Sequence, residues 1–139
     1  MSPTRIVLAG LVLVGAAACS DSSTPSSGST CTNVPTADPA AKMPTGLPPV
    51  DGQVLYEPST QGKTQIVFGL SKTGDFVKVR DDYVTKLTAA GWKIDGTDQE
   101  SVEAEAQFSK ASPLQTGTIK VQPLASCDGY VSIRYKVNE

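Results

Sequence analysis

The chain has no histidine, which removes the commonest general base and the commonest transition-metal ligand together. Serine hydrolase and zinc chemistry lose their usual parts. A Ser-Lys pair is no substitute: the spacing Ser-x-x-Lys occurs nowhere, and in Ser71-Lys72 and Ser109-Lys110 adjacent side chains on extended backbone diverge. No catalytic residue, metal ligand or cofactor site is therefore expected. Charge of one sign is also missing, since 12 basic residues stand against 14 acidic ones, and a mild negative balance speaks against a nucleic-acid partner. Long apolar runs are absent except for Ile6 to Ala18. That run is short of the ~20 residues a membrane-spanning helix needs, so a permanent span is the weaker reading.

What that run does fit is an export signal covering residues 1–18, with Arg5 as its only basic side chain and small residues before Cys19. Removing it leaves eleven basic side chains. The stretch Ala16-Ala17-Ala18-Cys19 resembles the bacterial lipobox, although Leu is the common residue where Ala16 stands. The resemblance implies that Cys19 is acylated on sulfur, becomes the new N-terminus and anchors the chain by lipid to the extracytoplasmic face of a bacterial membrane. Ordinary secretory cleavage nearby, releasing a secreted protein, and a pairing role for Cys19 are the competing readings.

Only three cysteines are present, and giving Cys19 to lipid leaves Cys31 and Cys127 as a pair. Export makes a disulfide between them chemically reasonable, with two free thiols as the alternative. Ser20 to Thr32 is Ser, Thr, Pro and Gly with one acid, a composition that cannot bury a core and reads as a spacer. From Asn33 to Pro49 five prolines recur, which predicts extended chain without regular structure. Residues 19–49 thus read as lipidated cysteine plus tether, and residues 50–139 as one small domain.

Inside that domain, Thr73 to Ile94 is the one long segment with apolar residues at helical spacing. Phe76, Val79, Tyr83, Leu87 and Ala90 share one side, widened by Val77 and Val84, and Lys78, Asp82 and Lys86 lie opposite. Thr73 is the expected cap, Asp75 suits the positive helix start, and Gly91 ends the helix before Trp92. Strands are expected at Val54 to Glu57, halted by Pro58, and at Thr64 to Leu70, with Ile66, Phe68 and Leu70 facing the helix. Further strands are expected at Trp92 to Asp95, Ser101 to Lys110, Thr118 to Leu124 and Tyr130 to Val137. Ser101 to Lys110 has helical propensity, but Val102, Ala104, Ala106 and Phe108 alternate with polar residues at period two, which predicts a strand. Turns are expected at Asp95-Gly96 and Asp128-Gly129, making the last four strands an antiparallel meander.

The expected fold is α+β and two-layered: one main helix on a mainly antiparallel sheet of about six strands, in the chain order β-β-α-β-β-β-β. The far face of the sheet would carry Gln65, Glu103, Glu105, Lys120, Gln122, Ser132, Arg134 and Lys136 and be solvated. Two motifs carry little. Gly62-Lys63-Thr64 imitates the end of a phosphate-binding loop, but Glu57 stands where its first glycine belongs and a strand follows instead of a helix. Asp95, Asp98 and Glu100 make an oxygen-rich loop that fits no EF-hand spacing.

Arg80 is the residue that breaks the pattern, because it projects inside the apolar stripe and a guanidinium there needs a partner. Either it pairs within the protein, for instance with Glu57, or passes the sheet edge, or it fixes a carboxylate or phosphate of a ligand in a helix-sheet cleft near Trp92. The pattern Tyr83-x3-Leu87-x3-Gly91-Trp92 resembles one found in small uncharacterised bacterial secreted proteins and lipoproteins. It implies an α+β envelope domain and transfers no site residue. The sequence thus points to a lipid-anchored, non-enzymatic domain that binds or supports another envelope protein or glycan. A carrier of small anions at Arg80 and an enzyme with an unfamiliar carboxylate site are the alternatives.

Overall fold

The computed structural model describes residues 31–50 and 52–139. The expected signal segment, Cys19 and most of the spacer lie outside them. Along the chain run β1 (Val54–Gln61), β2 (Thr64–Ser71), α1 (Phe76–Ala89), β3 (Lys93–Glu100), β4 (Glu103–Ala111), β5 (Leu114–Pro123) and β6 (Val131–Asn138). One helix and one six-stranded antiparallel sheet make an α+β fold dominated by its sheet. Chain order is not the order across the sheet, which is β1-β2-β6-β5-β4-β3. The first hairpin pairs with the last strand, so β2 and β6 close the domain end to end.

The helix begins two residues later than its sequence suggests. Asp75, not Thr73, is the cap, accepting from the Lys78 backbone N–H at 2.8 Å, an interaction worth about 1 kcal/mol. At the other end Gly91 takes φ +80°, and the Trp92 and Gly91 N–H groups return to the Leu87 and Thr88 carbonyls at 3.0 and 3.1 Å. That is a Schellman stop, which glycine adopts without a Cβ penalty. Tyr83 and Leu87 are buried, while Phe76, Val79 and Val84 pack on the core from its margin. Beneath the helix lie β3, β4 and β5. Ile119, Val121, Val131, Ile133, Tyr135 and Val137 are sealed from solvent on the helix-facing side.

Several strands differ from expectation for identifiable reasons. β1 continues through Pro58, because an edge strand tolerates a missing N–H and a bulge between Tyr56 and Ser59, with Glu57 at φ +48°, absorbs it. Asp95-Gly96 is a bulge inside β3 rather than a turn. The turn falls at Ser101-Val102, leaving Val102 exposed instead of inward. β2 has its faces reversed. Val67 lies opposite Tyr135 and joins the core, so Ile66, Phe68 and Leu70 share the outer face with Lys136, Arg134 and Ser132. By the same register Gln65 sits opposite Val137 on the inner side, where its Oε1 accepts from the Thr45 N–H at 3.0 Å.

The domain also begins earlier than Val50. Residues 31–50 form no helix or strand, as their prolines dictate, but they are not a free tether. Leu47 joins the core, the Pro48 carbonyl accepts from the Tyr83 hydroxyl at 3.2 Å, and Gly46, at φ +81°, presents its carbonyl to the Trp92 indole N–H at 3.0 Å. Cys31 and Cys127 form a disulfide spanning 96 residues, which pins the first described residue to the β5–β6 connection. Closing so long a loop stabilises by about 4 to 5 kcal/mol in the chain-entropy account.

Candidate functional site

Arg80 is spent inside the fold. From the helix its guanidinium reaches two backbone carbonyls of adjacent strands. Its Nη1 donates to Asp98 O at 2.9 Å and to Glu105 O at 3.1 Å, and Nε pairs with the Asp81 carboxylate. Glu57 is not its partner. With 7 % of its surface exposed, Arg80 bolts the helix to β3 and β4. Trp92 is likewise consumed, edge-on to Phe108 at 5.2 Å with Lys110 above its ring. The space between helix and sheet where a ligand cleft was expected is filled by the Tyr83–Tyr135 edge contact, Leu87 and Phe108.

The other sequence candidates are taken up by structure. Gly62-Lys63 is the β1–β2 turn, with Gly62 at φ +61°. Asp95, Asp98 and Glu100 are spread along β3, and Asp95 is held by Lys93 at 2.7 Å. Among the described residues, no three His, Cys, Asp or Glu side chains converge on a point that would hold a metal ion.

The outer face of the sheet is organised instead. Register places one row across all six strands: Tyr56, Phe68, Arg134, Lys120, Glu105 and Asp98. Two aromatics are followed by two cations and then two anions. A parallel row carries Leu70, Ser132 and Gln122. Phe68 stacks on Tyr56 at 5.6 Å, and the Tyr56 hydroxyl shares a hydrogen bond of 2.9 Å with Ser132 Oγ. Burial raises the Tyr56 phenol pKa, so that hydroxyl stays protonated at neutral pH.

The two cations of the row differ. Lys120 is committed, at 2.6 Å from Glu103 and 3.5 Å from Glu105, and Gln122 donates to the second oxygen of Glu103 at 2.6 Å. The Lys120 hydrogen bond holds the Glu103 carboxyl below its usual range, and the reciprocal bond raises the Lys120 ammonium. Arg134 is exposed and makes no side-chain hydrogen bond or ion pair with the described residues. Its neighbours on this face are Phe68, Lys120, Ser132 and Lys136, so the nearest charges are of its own sign. Beside it lies a hollow of about 420 Å³ walled by Ser59, Gln61, Ile66, Phe68, Lys120, Gln122, Ser132 and Arg134.

A guanidinium fork beside an aromatic side chain, with hydroxyl and amide groups around it, is equipped to hold an anion. Sequence alternation puts Arg134 on this face but reads it as ordinary solvated charge. The missed signal is in β2, where Ile66, Val67, Phe68 and Leu70 are apolar at both parities, so one set had to face outward. No protein-family model matches the chain, nor does any curated protein or solved structure.

Proposed function

We propose that this chain is a lipid-anchored, extracytoplasmic, non-enzymatic domain of the bacterial cell envelope that binds or supports another envelope component, a protein or a glycan. The observation that carries the reading is the Cys31–Cys127 disulfide. It belongs to an oxidising compartment, and it uses two of three cysteines, leaving Cys19 at the lipobox-like site as the odd one. Twelve positions separate Cys19 from Cys31, so a lipid on Cys19 would keep the disulfide end of the domain within about 40 Å of the bilayer. The outer sheet face, with its unpaired Arg134, supplies a surface suited to a binding role. An anion carrier built around Arg80 is the weaker alternative, because Nη1 of that side chain is engaged by the Asp98 and Glu105 carbonyls and Nε by Asp81.

The test is expression of the whole chain and of Cys19→Ser in a bacterium with labelled palmitate. The expected result is label and membrane retention for the parent and neither for the variant. If both forms partition and migrate alike, with and without inhibition of the lipoprotein signal peptidase, the anchor is wrong. Affinity capture from the envelope with the parent chain then identifies the component.

A further inference from the structure

We propose that the hollow on the outer sheet face is a binding site for a small amphiphilic anion, one carboxylate or phosphate on an apolar body, with Arg134 as its anchor. This deepens the binding role proposed above by naming a ligand class, and it does not depend on whether Cys19 is acylated.

Three features point to that class. The first is the open charge: Arg134 lies amid Lys120 and Lys136, and the acids of this face, Glu103, Glu105 and Asp98, sit beyond Lys120, which engages the first two. No described side chain pairs with Arg134, so its donors are open to an anion, and the planar fork matches two oxygens of one acid group. The second is the wall. Phe68 is a large, partly exposed apolar side chain on the side of the sheet away from the core, cross-strand neighbour to Arg134, with the buried Ile66 at the floor of the hollow. A bare inorganic ion would leave that wall unused; an acid carrying an alkyl or aryl body would cover it. The third is the rim, where Ser132, Gln122, Ser59 and Gln61 offer donors and acceptors around the acid group. Lys120 stays with Glu103, so the site has one free cation in its walls and suits one acid group rather than a polyanion.

The experiment is a titration of the ¹⁵N-labelled full-length chain, made as Cys19→Ser so that no lipid is attached, with decanoate and decyl phosphate below their micellar concentrations. Decyl maltoside is the neutral control. Amide shifts are expected at Phe68, Lys120, Ser132 and Arg134, and preference for one acid over the other identifies the head group. Arg134→Gln should weaken binding at least about tenfold while leaving the rest of the spectrum in place, and Arg134→Lys should fall between the two. The proposal is overturned if neither acid saturates, if decyl maltoside binds as well as the acids, if Arg134→Gln binds like the parent, or if the shifts gather at Val79 and Tyr83 on the helix margin.

Discussion

Replacing Arg80 by Met separates a structural bolt from a ligand anchor. The variant keeps most of the apolar stem and removes two bonds from a charged donor, to Asp98 O at 2.9 Å and Glu105 O at 3.1 Å. Each such bond is worth about 1.5 to 3 kcal/mol. Against that loss stands relief from burying a guanidinium that is 7 % exposed, so the net destabilisation expected is about 2 to 4 kcal/mol. With a urea slope of about 1 to 2 kcal/mol per molar, the unfolding midpoint should fall by roughly 2 M with the disulfide intact and the slope unchanged. Asp81→Asn is the matched control. Its carboxylate touches the same guanidinium but is 61 % exposed, so its loss should cost no more than about 1 kcal/mol. Arg80→Lys should lie between, since one ammonium cannot reproduce the fork that spans two strands. A stability for Arg80→Met within about 0.5 kcal/mol of the parent would refute the bolt, as would equal losses for Arg80→Met and Asp81→Asn.

Gly117→Ala should destabilise the domain by about 2 to 4 kcal/mol in the same urea assay, because the added Cβ would overlap the Phe108 ring and lie 2.7 Å from the Lys136 carbonyl; near-parental stability would mean that β4 and β5 are not packed as described. Burial pushes the phenols of Tyr83 and Tyr135 well above the usual ~10, so their contribution to stability is complete below pH ~10 and is lost as pH rises further, when only the unfolded chain ionises freely. A near-UV phenolate titration should show these two groups ionising together with alkaline unfolding, and ionisation at an ordinary pKa in the folded protein would contradict their burial.

Local chemistry made much of this fold legible. The helix follows from its apolar stripe and from Gly91, and β4 and β6 follow from period-two alternation that overrode the helical propensity of Glu103 to Gln107. Less legible were features decided by distant partners. Asp95-Gly96 looks like a hairpin turn until β4 pairs along the full length of β3, when the glycine becomes half of a bulge. Residues 33–49 have the composition of a tether, and what holds them to the domain comes from far along the chain: hydrogen bonds with Leu55, Gln65, Tyr83 and Trp92 and the core around Leu47. β2 could not choose its face alone. Its inward residue is set by β6, whose apolar triad Ile133, Tyr135 and Val137 draws Val67 inside and turns Phe68 out.

That choice of face also redistributes the two arginines that matter. Arg80 stands out in sequence because it interrupts an apolar stripe, yet its Nη1 is held by carbonyls 18 and 25 residues away and its Nε by the neighbouring Asp81. Arg134 looks unexceptional, one polar residue in a clean alternation, until register sets Phe68 on one side of it and Lys120 on the other. An arginine is available for recognition when the fold leaves its donors unfilled and gives it a surface that solvent does not satisfy. Arg134 meets both conditions, and it does so because the apolar residues displaced from the core by the pairing of β2 with β6 stand beside it.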